Sequence, residues 1–293
     1  MATDVVLRTP RVTAAQAAGT ADGHEVARVA SPALASSRAG RARCGGDAPR
    51  VLRATALGLG AARALRGGAE GAVVLAFGPG GYLLLGDRHV LLAPVRSPLG
   101  PLSVLVAGLA AGHLVPGDRV RVTDDALELA SLRIVLAGAR PAPAPRATPL
   151  SADWRPALAA ALRVVAPVPA DLIAGLDALA RGDVGGGLSR LAGLGEGLTP
   201  AGDDVLAGYM AWRWSQGTRL TLPAHNCAPL GRDYLRCAER GELPAPAARV
   251  LQAIRDGEPQ AAERAARGLG AWGASSGRAL LWGIAAGARC DHA

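Results

Sequence analysis

The stretch from Gly193 to Gly208 combines three features that chemistry can use: alternating glycines at 193, 195 and 197, a helix-start signal at Thr199 and Pro200, and the adjacent carboxylates Asp203 and Asp204. Glycine lets backbone N–H groups approach a bound group closely. Thr199 suits an N-cap, and Pro200 suits the first helical position, where a missing N–H costs nothing. Asp203 and Asp204 then fall in or near the first turn, where the helix dipole favours negative charge. Val205, Leu206, Tyr209 and Met210 follow at helical spacing and supply the apolar face. A capped helix behind a turn accounts for Thr199, Pro200 and one aspartate. It needs neither the second aspartate nor three glycines, so the stretch reads as a site for a small polar ligand.

A second helix start near the C-terminus repeats the pattern. Gly202-x-x-x-Leu206-x-Gly208 and Gly277-x-x-x-Leu281-x-Gly283 share one spacing, and small residues precede both. In a chain this rich in Gly and Ala, chance also produces matches of that size. Taken as real, the echo sets two helix N-termini on one cleft, where free N–H groups and both dipoles suit a phosphate or carboxylate. Gly195, Gly197, Thr199, Gly202, Ser275, Ser276 and Gly277 are then the expected ligand-binding residues, with Arg278 the nearest cation in sequence to balance charge. Asp203 and Asp204 would hold a metal, position a cationic or amide group, or serve as a base. The residues leave these alternatives open and name neither a metal nor a cofactor.

The elements that must position these groups follow from composition and period. Half of the 293 residues are apolar and few are aromatic, so cores must be built from Leu, Val and Ala. The length suffices for two domains. Residues 1–50 are rich in Ala, Arg, Ser and Gly without a sustained period and are expected to be a disordered extension. Residues 52–65 carry a weak helical face. From Gly71 the pattern turns to short apolar runs separated by turns: 73–77, 82–85, 89–92, 102–106, then alternation at Val120 and Val122, at Leu127 and Leu129, and at Leu132, Ile134 and Leu136. This predicts a small antiparallel barrel or sandwich over residues 51–140. His89 and His113 read as ordinary surface or core histidines. Residues 141–150 form a Pro-rich linker. Residues 151–293 carry a helical period and hold the glycine-rich site. The expected fold class is therefore α+β, a strand-rich half followed by a mostly helical one.

Composition also narrows the partners. The net charge is +8, and every one of the 32 basic residues is arginine. No aromatic residues interleave with them as a stacking platform would need, so nucleic acid is not an expected partner. Cysteines 44, 227, 237 and 290 show no metal-site spacing, and reduced thiols in a cytoplasmic protein are the expectation. The first residues lack the bases and apolar core of a signal peptide. The longest stretch free of formal charge, 97–117, is broken by Pro98, Pro101 and Pro116, so no membrane span is expected.

Gly195-Glu196-Gly197-Leu198-Thr199-Pro200-Ala201-Gly202-Asp203-Asp204-Val205-Leu206-Ala207-Gly208 resembles the signature of the AllH family. Leu235–Gly241, Gly273–Gly277 and Gly100–Ser103 resemble further segments of it in the right order, so that the likeness spans roughly residues 54–290. The resemblance implies a subunit of an oxamate carbamoyltransferase that acts with two other subunits in allantoin-derived purine degradation. That enzyme interconverts oxalurate plus phosphate with oxamate plus carbamoyl phosphate, all small anions. The same resemblance implies catalytic roles for Asp203 and Asp204 and other transferase subunits as partners. The chain departs from the family pattern at Glu196, where Pro is usual, at Ala201, where Ser is usual, at Ala279, where an acid is common, and at Gly231, where a hydroxyl is common. These departures keep a second reading open, a non-catalytic anion-binding or scaffolding subunit.

Overall fold

A computed structural model of the chain describes residues 48–66, 68–147, 149–273 and 275–290, which lie within one compact unit. The disordered extension expected for residues 1–50 falls, up to residue 47, outside the described residues.

Strands β1 (Arg50–Leu57), β2 (Glu70–Phe77), β3 (Gly80–Leu85), β4 (Arg88–Pro94), β5 (Ser103–Ala107), β6 (Arg119–Val122), β7 (Ala126–Leu129) and β8 (Leu132–Val135) close into a barrel. The order is β1-β5-β4-β3-β2-β6-β7-β8 and back to β1. The apolar runs read from the sequence are its staves. Leu83, Leu92, Val104, Val120, Leu127 and Ile134 point inward and are almost wholly removed from water. Each such side chain contributes roughly 1.5–3 kcal/mol. Tight turns at Gly78 (φ +49°) and Gly86 (φ +57°) join β2 to β3 and β3 to β4. Both positions need the left-handed region that glycine enters freely.

β1 is the stave that the sequence hides. Residues 52–65 carry a weak helical face, yet only α1 (Leu59–Ala64) is helical. The preceding residues pair antiparallel with β5 on one side and parallel with β8 on the other. A bulge between Ala54 and Ala56 breaks the alternation that would have marked a strand. A short β9 (Arg140–Pro141) continues the β8 edge of β1.

The C-terminal half is helical: α2 (Trp154–Leu162), α3 (Ala170–Ala180), α4 (Val184–Leu191), α5 (Ala201–Ser215), α6 (Pro229–Ala238), α7 (Ala245–Arg255), α8 (Pro259–Gly270) and α9 (Ser276–Cys290). Gly185–Gly187, a poor helix sequence by propensity, lie inside α4. Asp183 caps it by accepting from the Gly186 N–H at 2.8 Å. Gly187 lets the Leu179 side chain of α3 pack onto its backbone, and Gly175 does the same for Leu191 of α4. Tertiary packing thus overrides the poor helix propensity of three glycines.

α5 and α9 form the centre of this half. They run side by side and parallel, early residues meeting early and late meeting late. A Cβ on Gly208 would overlap the carbonyl of Leu280, one on Gly283 the carbonyl of Val205, and Gly287 lies against Trp212. Trp212, Tyr209 and Met210 are buried in the core around them. The barrel meets the helices through α1 and α6. Arg63 donates both terminal nitrogens to Glu242 at 2.6 Å each, and the Ala245 N–H donates to the Leu99 carbonyl at 2.8 Å. Among the described residues, no helix is long and apolar enough to cross a membrane.

Candidate functional site

The glycine-rich loop is held in shape by one side chain. Gly193, Gly195 and Gly197 have φ values of +74°, +112° and +93°, so all three need glycine. Asp203, in the first turn of α5, is 2 % exposed. Its Oδ1 accepts from the Gly193 N–H at 2.7 Å and its Oδ2 from the Ala228 N–H at 2.9 Å. One carboxylate therefore ties the loop to the segment that leads into α6. Gly231 makes room for it, since a Cβ there would overlap the Asp203 carboxylate.

The start of α5 differs from the sequence reading by one residue. Pro200 occupies the cap position in extended conformation and no side chain caps the helix. Thr199 is released for another contact. Its hydroxyl lies 3.3 Å from the hydroxyl of Ser276, the first residue of α9. The two parallel helices thus begin side by side, and their positive dipole ends converge.

Asp204 sits at that convergence. It is 4 % exposed, and its Oδ2 is buried without a hydrogen-bond partner among the described residues. Burial pushes its carboxyl up to about 7. The Ser276 hydroxyl opposes the rise, the neighbouring Asp203 charge adds to it, and the Thr199 hydroxyl opposes it again. A carboxyl that changes charge near neutrality while flanked by two hydroxyls can accept or donate a proton under working conditions.

The remaining expected residues divide. Gly202 and Gly277 are spent on packing: a Cβ on Gly202 would overlap the Leu191 carbonyl and one on Gly277 the Leu269 carbonyl. Their N–H groups, anticipated as open to a ligand, donate instead to Leu194 O at 2.8 Å and Trp272 O at 3.1 Å. Gly195 packs on the Ala201 nitrogen, whereas Gly197 is exposed with open space about it. Ser275 is half-buried and its carbonyl accepts from the Ala279 N–H at 3.0 Å. Arg278 lies half-buried in the first turn of α9. Thr199, Asp204 and Ser276 are the residues drawn together. No group of three or more His, Cys, Asp and Glu side chains able to hold a metal assembles among the described residues.

The sequence reading missed what the barrel contributes. Tyr82 of β3 and Tyr234 of α6 pack together at the seam. Burial raises both phenols above their ordinary range, and the Asp204 charge raises them further. Leu102, Leu230 and Trp272 pack around them. Beside this cluster, Asp233 of α6 is 1 % exposed. Its Oδ2 accepts from the His89 backbone N–H at 2.9 Å and pairs with His89 Nδ1 at 2.8 Å, and its Oδ1 accepts from Arg236 at 2.9 Å. Burial alone would raise the Asp233 carboxyl, but the bonds from His89 and Arg236 hold it below its usual value. His89, read from the sequence as ordinary, is thus a link between strand and helix. No pattern within either segment signals a pairing between residues so far apart.

Residues 191–288 match the model of a family described as oxamate carbamoyltransferase subunit AllH. The match runs from the end of α4 into α9 and contains both paired helix starts. The barrel, including Gly100–Ser103, lies outside it. No curated protein and no solved structure matches the chain.

Proposed function

We propose that this chain is an AllH-like subunit of a carbamoyltransferase-type complex that works on small anions, oxamate or oxalurate with carbamoyl phosphate or phosphate, in allantoin-derived purine degradation. The observation that carries the reading is Asp204: a buried carboxyl titrating near 7, at two converging helix starts, inside the segment that matches the family. Transfer of a carbamoyl group to oxamate forms an N–C bond and breaks the C–O bond to phosphate, which leaves with the electron pair. The attacking nitrogen must give up one proton. Asp204 is the base placed for that step, with Thr199 and Ser276 as hydroxyl ligands and the helix dipoles favouring the anion. Asp203 acts through position, holding the glycine loop. The other subunits of the complex are the partners this reading requires.

One observation favours the second reading, a non-catalytic anion-binding or scaffolding subunit. Ala201, Gly231 and Ala279 present no polar side chain around the helix starts. The two readings separate in the reconstituted complex. Under the first, Asp204→Asn abolishes carbamoyl transfer while circular dichroism and assembly remain unchanged. Under the second, oxamate or carbamoyl phosphate shifts the melting temperature but the variant changes no turnover. Full activity in the Asp204→Asn complex removes the catalytic assignment.

A further inference from the structure

A cavity of about 160 Å³ lies at the seam on the side of α6 that carries Asp233. Arg63 from α1, Arg88 from β4, Arg236 from α6 and Arg240 from the turn after α6 line it, together with His89 and Asp233. It has room for about five waters at roughly 30 Å³ each. Arg88, Arg236 and Arg240 also line an adjoining cavity of about 440 Å³, together with Arg232 and with Glu239, whose carboxylate accepts from the Thr221 hydroxyl at 2.6 Å.

The acids nearby do not use up this charge. Asp233 is saturated by His89 and Arg236, and Glu242 is closed by the two-pronged contact with Arg63. Asp87 touches Arg88 at 3.2 Å and Arg236 at 3.7 Å, but it is 74 % exposed and screened by water. Arg88 stands 3.8 Å from Asp233, too far for a hydrogen bond. Arg240 meets no carboxylate among the described residues; one terminal nitrogen donates to the Arg236 carbonyl at 2.6 Å. The guanidinium groups left to a ligand come from β4 on one side and from α6 and the turn after it on the other, and donors from two sides suit a tetrahedral oxyanion with oxygens in several directions.

We infer that this arginine-lined cavity is a binding site for a phosphate-type dianion, either inorganic phosphate or the head of a phosphomonoester, separate from the α5–α9 helix starts. Arg88, Arg236 and Arg240 supply the donors, and Asp233 holds Arg236 and the His89 ring in place. The site is built half from the barrel and half from α6, so its occupant joins the two. This assignment does not rest on the carbamoyltransferase reading.

The test is titration calorimetry on the full chain at about 0.15 M ionic strength, with inorganic phosphate and glycerol 3-phosphate as probes and sodium chloride as the control. Saturable binding of either probe is expected, and the tighter of the two names the source of the oxyanion. Arg240→Gln breaks no ion pair and gives up only the exposed bond to the Arg236 carbonyl, so without ligand its melting temperature should fall by no more than a few degrees. Its affinity should fall at least about tenfold, the loss expected for one charge-assisted hydrogen bond. Ser276→Ala, at the other site, should bind as the parent does. Absence of saturable binding, undiminished affinity in an Arg88→Gln/Arg240→Gln variant, or loss of binding on Ser276→Ala would each overturn the assignment. The Asp204→Asn result reads the carbamoyltransferase proposal independently.

Discussion

Gly208 of α5 lies against the carbonyl of Leu280 of α9, and the relationship is reciprocal, for Gly283 lies against the carbonyl of Val205. Each glycine serves the helix opposite, at matching places in the repeated pattern. Close approach here sets the helix starts side by side. Gly208→Ala or Gly283→Ala puts a methyl onto a backbone carbonyl that cannot swing away, so each should cost at least ~2 kcal/mol in urea unfolding. Gly268 of α8 is exposed and helical with open space around it. Gly268→Ala should therefore stabilise by ~0.5–1 kcal/mol. Equal, small effects at all three positions would mean that α5 and α9 are not in contact through these glycines.

Asp204 makes a prediction about pH. Its folded value of about 7 lies above the ordinary carboxyl value. Between the two, the native state holds a proton that the unfolded chain has lost, so stability falls as pH rises through this window. Above about pH 7 the buried charge is fully present and its cost is complete, on the order of a few kcal/mol. Asp204→Asn removes that titration. The variant should gain on the parent as pH goes from 5 to 8 in denaturant melts. A parent–variant difference that stays flat over this range would place the titration elsewhere.

Asp203 should behave in the opposite way despite being its neighbour. Two backbone N–H groups, from Gly193 and Ala228, depend on its two oxygens. In Asp203→Asn one of them faces an amide NH₂ and loses its acceptor, at a cost of about 1–3 kcal/mol at neutral pH. Hydrogen exchange at Gly193 or Ala228 should rise in the variant. Unchanged protection at both amides would show that the loop is held by other contacts.

Periodicity carried much of this fold into view. The alternation at Val120 and Val122 and the turns at Gly78 and Gly86 are local signals, so the barrel staves from β2 to β8 were legible. β1 was not, because its bulge spoils the alternation and its partners are distant in sequence. α4 was not, because three consecutive glycines carry no helical signal, and what holds them is Leu179 packing on Gly187 and Leu191 packing on Gly175. In the candidate site, the echo between 202–208 and 277–283 pointed to paired helix starts, and Thr199 and Ser276 do meet. The division of labour between Asp203 and Asp204 was not readable, since adjacent residues on a helix point in different directions. Tyr82 and His89 come from the barrel, and no local pattern ties a strand residue to a helix residue far along the chain.

Asp233 supplies the last prediction, at the seam itself. Its carboxylate accepts from the His89 backbone and Arg236 and pairs with the His89 ring, which holds it below the usual carboxyl value. A depressed value means that the stabilisation is present at neutral pH and is lost as pH falls below about 4 through the folded value. Asp233→Asn removes the charge while nearly keeping the shape. It takes an acceptor from the His89 N–H or the half-exposed Arg236, so the variant should lose about 1–3 kcal/mol at pH 7. The deficit should shrink as pH is lowered below about 4 and on through the folded value, where the parent's own carboxylate is neutralised. Because the bond joins β4 to α6, the same variant should separate the unfolding of the barrel from that of the helices in a calorimetric scan. A single transition with a deficit that stays the same as pH falls from 7 until the fold is lost would mean that the charge on Asp233 takes no part in holding strand to helix.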